Sequence, residues 1–125
     1  MIPFALNPHS GVPIYRQIQD QVRYGIASGQ LKAGEQLPTV RALAVELSVN
    51  PNTVIKAYTE LEREGVITSE QGTGTFVAPE KTPIPDPERK AKLEALCIEF
   101  LAHAGVHGFT ANEVEQAIHK LTTRS

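Results

Sequence analysis

Residues 49–65, VNPNTVIKAYTELEREG, open with two asparagines around a proline, then a threonine, before any periodic apolar pattern begins. Asn50 is a good helix N-cap, because its side-chain oxygen can accept one of the first free backbone N–H groups. Pro51 suits the first helical position, where its missing N–H costs nothing. From there Val54, Ala57, Tyr58 and Leu61 recur at helical spacing as an inward stripe, and Gly65 marks the stop. Capping uses one polar residue, so Asn52 and Thr53 are left over. With Lys56 one turn further on, they lie off the apolar stripe. Amides, hydroxyls and an ammonium at the leading turn of a helix are groups that read base edges or hold phosphates.

The flanking segments say what kind of helix this is. In the preceding helix Thr39 is the cap, Val40, Leu43, Ala44 and Leu47 form the apolar side, and Ser48 ends it. Only about three residues separate the two helices, and so short a turn forces a steep crossing, as in a helix-turn-helix. Further upstream Ile14, Ile18, Val22 and Ile26 predict a first amphipathic helix after Pro13, stopped at Gly29. Residues 1–11 read as an irregular N-terminal arm, and LKAGEQLP (31–38) as a turn-rich connector with a short edge strand. Downstream, VITSEQGTGTFVA (66–78) changes period. Val66, Ile67, Phe76 and Val77 flank a tip containing Gly72 and Gly74, which predicts a β-hairpin. Phe76, like Tyr58, is expected in the core rather than as a base-stacking platform. Residues 12–78 therefore read as a winged helix-turn-helix, mostly α with a small β-hairpin. In that fold the third helix enters the major groove with its N-terminal residues leading, and the hairpin touches neighbouring backbone or minor groove.

PEKTPIPDP (79–87) holds four prolines in nine residues and predicts a semi-rigid linker over 79–86. Beyond it, residues 87–125 read as a helical hairpin. Leu93, Leu96, Cys97, Phe100, Leu101 and Ala104 mark one helix, stopped near Gly105. Thr110 and Glu113 fit a capping box, and Phe109 and Val114 the hydrophobic staple, of a second helix with Val114, Ala117, Ile118 and Leu121 inward. Two short helices with exposed apolar stripes gain most by pairing with a second copy of the chain. Leu93, Leu96, Phe100, Leu101, Val114, Ile118 and Leu121 are the expected dimer contacts; the alternative is that the tail folds back as a cap on its own protomer.

The bulk numbers set limits. With 125 residues, 41% hydrophobic and 21% charged, the chain suits one ordinary domain or a small domain with an appendage. A single cysteine rules out an internal disulfide framework, and no signal peptide or membrane-length apolar run is visible, so a cytoplasmic protein, off the membrane, is expected. His103 and His107 straddle Gly105 without enough neighbouring ligands for a metal site. No nucleophile–base pair or phosphate-cradling loop appears, so neither an enzyme nor a cofactor is expected. The net charge of -2 gives no basic footprint for nucleic acid. Between Val12 and Ala78 six Lys or Arg face seven Asp or Glu, which favours the competing reading of a winged helix that binds only protein.

Residues from about Val12 to Ala78 resemble the DNA-binding domain of the GntR family of bacterial transcription regulators. The resemblance is carried by PIYRQI, by GQLKAGEQLPTVRALAVELSVNPNTVIKAYTELEREGVI and by GTGTFV, in order and over more than half the chain. It implies that Arg41 reaches DNA from the second helix and that Thr39 both caps that helix and contacts phosphate. It puts Asn50, Asn52, Thr53 and Lys56 on the groove-facing positions of the recognition helix, and Gln71 and Gly72 at the wing tip. Pro51 and Ile55 depart from relatives that carry basic residues there, which bears on the operator sequence. The short tail resembles the YtrA-type branch, where such a tail serves dimerisation; about forty residues after the linker cannot supply the large effector domain of other branches. The resemblance thus implies a homodimeric repressor on an inverted-repeat, double-stranded operator. Whether a small-molecule effector binds, and which, is left open.

Overall fold

The computed structural model describes residues 4–79 and 86–123. The chain divides into two compact units, Met1–Glu80 and Lys81–Ser125; the expected linker, 79–86, falls almost wholly outside the described residues.

In the first unit, α1 (Ile14–Ala27) begins after Pro13, whose carbonyl accepts from the N–H groups of Arg16 and Gln17. Its buried residues are Ile18, Gln19, Val22 and Gly25, with Ile14 and Ile26 half-buried at the margins of the core. The irregular segment before it is tied down. The Gln21 side chain brackets Ala5, accepting from its N–H at 2.9 Å and donating to its carbonyl at 2.6 Å. Gln17 holds Asn7 in the same two-sided way and also donates to Ser10 and Val12. Phe4 and Leu6 pack on the core from this segment.

The helix-turn-helix is α2 (Val40–Leu47) followed by α3 (Pro51–Arg63). Thr39 Oγ1 accepts from the Ala42 N–H and Asn50 Oδ1 from the Asn52 N–H, so both expected caps form. Between the helices Ser48 takes left-handed backbone angles, φ 55° and ψ 46°, and the Val49 N–H returns to the Ala44 carbonyl. Helix α3 stops the same way: Gly65 has φ 78° and the Val66 N–H returns to Leu61.

The wing is β2 (Ile67–Glu70) and β3 (Gly74–Val77), and β1 (Gln36–Leu37) pairs with β3 to give the antiparallel order β1-β3-β2. Register places Ile67 opposite Val77, both buried, and Thr68 opposite Phe76. Adjacent strand residues face opposite sides, so Phe76 cannot share the core side with Val77. It is half-buried, across from Gln36 and Thr68, and the expectation that it sits in the core is corrected. The core itself joins Ile18 and Val22 of α1, Leu43 of α2, Val54, Ala57 and Leu61 of α3, and Ile67 of β2. Each of the valine, leucine and isoleucine side chains contributes about 1.5–3 kcal/mol by leaving water.

In the second unit α4 (Asp86–Val106) packs with α5 (Ala111–Thr122). Gly105 lies inside α4 rather than ending it. The left-handed residue at the turn is Gly108, φ 86°, and the N–H groups of His107 and Phe109 both return to Ala104. The capping box of α5 forms in both directions between Thr110 and Glu113. No residue of either helix is buried; Leu93, Leu96, Phe100 and Ile118 are half or more exposed. Ile98 and Val106, outside the expected stripe, are exposed at 61% and 81%.

Candidate nucleic-acid interface

Two helix N-termini form the centre of the site, and one hydrogen bond ties the start of α2 to the middle of α3. Tyr58, in the middle of α3, is buried and donates from its hydroxyl to the Pro38 carbonyl at 2.8 Å. Pro38 immediately precedes Thr39, so this bond fixes where α2 begins relative to α3. Burial, with a smaller push from the charge of Glu46, raises the Tyr58 hydroxyl above its ordinary range. It stays protonated and keeps donating. The sequence marks Tyr58 as core but carries no sign of this bond, which spans twenty residues.

Around that centre the expected contact residues separate by what they already do. Thr39 is exposed and its oxygen accepts from Ala42, which leaves the hydroxyl proton to donate outward. Asn50 likewise spends its oxygen on the cap and keeps its NH2 donors. Arg41 and Asn52 are exposed and Thr53 half-buried, and none of the three side chains has a partner among the described residues. Lys56 is exposed, with Nζ 4.1 Å from the centroid of the Tyr15 ring. Gln71 and Gly72 are exposed at the wing tip, where Gly72 has φ 84° and the Thr73 N–H closes the turn on Glu70.

Charge is distributed unevenly along α3. Its first nine residues, Pro51 to Thr59, contain no carboxylate, while Glu60 and Glu62 follow in its last turns and Glu64 caps it. The positive end of the helix dipole therefore carries no acid from its own helix, which suits it to an anion. The near-neutral total hides this separation. At the far end Glu60 and Glu64 hold α1, while Glu62 accepts from the Ser69 hydroxyl: Gln19 is buried and donates to Glu60 Oε2 at 2.6 Å and to the Ala57 carbonyl at 3.3 Å. Arg23 pairs with Glu64 at 2.7 Å and Asp20 at 3.1 Å, and the Glu64 hydrogen bond raises its pKa further. Arg23 is thus occupied where Arg41 is not. The sequence gives no sign that Gln19 is buried, since it is a polar residue one step off an apolar stripe.

His103 and His107 meet edge-to-face with centroids 5.9 Å apart. Among the described residues no group of three or more potential ligands could hold a metal ion, and no helix is long and apolar enough to cross a membrane.

A helix pair joined by a three-residue turn, with solvent-facing polar groups at both N-termini and flanked by a glycine-tipped hairpin, defines a winged helix-turn-helix of the kind that reads DNA. Residues 14–77 match the family described as bacterial regulatory proteins, gntR family, and the chain belongs to it. It is 40% identical over 114 residues to the HTH-type transcriptional regulator YhcF of Bacillus subtilis, covering 90% of this chain and 93% of that one. It is 48% identical over 73 residues to the transcriptional repressor YtrA of the same organism, covering 58% and 56%. The structure of a transcriptional antiterminator from Listeria monocytogenes superposes with TM-score 0.73 at 32% identity, over 98% of this chain and 91% of that one. The DNA-binding domain of AraR, solved with an operator, superposes with TM-score 0.53 at 32% identity, over 59% and 92%. The protein is a DNA-binding transcription regulator of the YtrA-like kind rather than an enzyme, which also decides against the protein-only module.

Proposed function

We propose that the protein is a homodimeric repressor that binds an inverted-repeat operator in the cytoplasm, with α3 in the major groove and the β2–β3 wing on the flanking backbone. The observation that carries this reading is the set of side chains, Arg41, Asn52 and Thr53, that have no partner among the described residues and lie on the N-terminal turns of α2 and α3. Asn52 is the residue to pair with an adenine edge, Arg41 with guanine or phosphate, and Thr53 and Thr39 with phosphate or a thymine methyl. Asn50 and Lys56 complete the groove-facing set, and Gln71 and Gly72 serve the wing contact. The repressor role is supported by the name of the B. subtilis relative YtrA.

Dimerisation through the tail is supported by its exposed apolar side chains. Helix α4 carries them on more than one side, which suits a helix covered on more than one side, and Leu93, Leu96, Phe100 and Leu101 with Val114, Ile118 and Leu121 are the contacts we assign. Between α4 and α5 an open apolar concavity of about 350 Å³, lined by Phe100, Phe109, Val114 and Ile118 among others, gives a partner's side chains somewhere to seat. Two protomers related by a twofold axis place two copies of α3 on two half-sites.

Selection of fragmented genomic DNA by the purified protein tests the reading. Recovery of one enriched inverted repeat is the expected result. Salt-sensitive binding with no enriched sequence would overturn it, because backbone charge alone gives affinity without sequence preference.

A further inference from the structure

Tyr15 is the second residue of α1, half-buried with its ring against the core of the winged unit. Lys56, on the second turn of α3, rests its ammonium over that ring, 4.1 Å from the centroid, and has no carboxylate partner among the described residues. An aromatic face attracts a cation within about 6 Å through its quadrupole. Unlike a carboxylate, the ring holds the cation without cancelling its charge, and the ammonium's three N–H donors are not consumed as they would be in an ion pair. A free lysine loses substantial rotamer freedom when it is fixed on a ligand. One already resting on a ring has given up part of that freedom on folding.

We propose that Tyr15 is a positioning residue for operator recognition, holding the Lys56 ammonium over its ring at full charge before DNA arrives. The inference rests on the reading of Lys56 as a DNA contact. Tyr15 acts through Lys56: the ring presets the side chain, and the lysine meets the phosphate or base edge. This gives α1 a role in binding beyond packing, through a residue in the PIYRQI stretch.

The test is a double-mutant cycle on the intact chain, read by anisotropy with the duplex recovered by genomic selection, at several salt concentrations. Tyr15→Phe keeps the ring face and is expected to bind as the wild type does. Tyr15→Leu keeps apolar volume without the quadrupole and is expected to weaken binding about two- to fivefold. The same change made in a Lys56→Met background is expected to cost nothing further, because the partner is gone. Lys56→Met is expected to lower the slope of log affinity against log salt by about one, and Tyr15→Leu to leave it unchanged, since the charge still engages DNA. Equal losses from Tyr15→Leu in both backgrounds would overturn the proposal and assign Tyr15 a purely structural or directly DNA-contacting role. Wild-type binding by Tyr15→Leu, while Lys56→Met is impaired, would overturn it while leaving Lys56 as a contact. Wild-type binding by Lys56→Met would show that the contact assignment itself fails, and the proposal with it.

Discussion

Asn50 and Asn52 sit two positions apart on the same helix end and are identical in chemistry, yet the structure gives them different work. Asn50 Oδ1 accepts from the Asn52 backbone N–H at 2.8 Å and thereby starts α3, while the Asn52 side-chain amide is exposed with no partner among the described residues. Replacing the cap, Asn50→Ala, is expected to cost about 1 kcal/mol of stability, seen as a lower thermal midpoint. Asn52→Ala is expected to leave the midpoint close to wild type and to cost about 1–3 kcal/mol of operator affinity. Parallel losses of stability in both variants would contradict the division. This much was legible in the sequence, because capping is local chemistry written in consecutive residues. The Tyr58 hydroxyl on Pro38 and the Tyr15 ring under Lys56 were not, since each joins residues far apart in the chain.

At the scale of elements, the turn between α2 and α3 concentrates the strain of the first unit. Ser48 is the sole non-glycine residue with positive φ among the described residues, at 55°. A left-handed conformation costs an L-residue about 1–2 kcal/mol, and a glycine's extra freedom in the unfolded chain costs about 0.5–1 kcal/mol. Ser48→Gly is therefore expected to stabilise the protein by about 0.5–1 kcal/mol, measurable as a raised thermal midpoint, with operator affinity retained. A fall in the midpoint would mean that the serine contributes something beyond its backbone. The helices of this unit were legible from periodicity, and the hairpin from its glycines. What escaped was facing within the sheet: β1 is two residues long, too short for a pattern. Phe76 next to Val77 looked like a pair of core residues until the register with Ile67 and Thr68 separated them.

At the scale of the molecule, the two units differ in how complete they are. The first buries a connected core, and the second buries no residue of either helix although Phe100 is 56% exposed and Ile98 61%. The apolar stripe of the tail was legible, but its breadth was not, because Ile98 and Val106 lie outside the heptad-like positions that first draw the eye. Phe100→Glu is expected to move the protein from dimer to monomer in analytical ultracentrifugation while the circular dichroism of the winged unit persists. A wild-type protein that sediments as a monomer at micromolar concentration would show that the tail does not dimerise.

Reading of DNA by the N-terminal turns of α2 and α3 is tested by an anisotropy titration of the selected operator with the wild type and Arg41→Ala, whose guanidinium is exposed and unpartnered among the described residues. Saturation at two protomers per inverted repeat is expected, with a loss of about 1–3 kcal/mol of affinity in Arg41→Ala. Undiminished binding by the Arg41→Ala variant would contradict it.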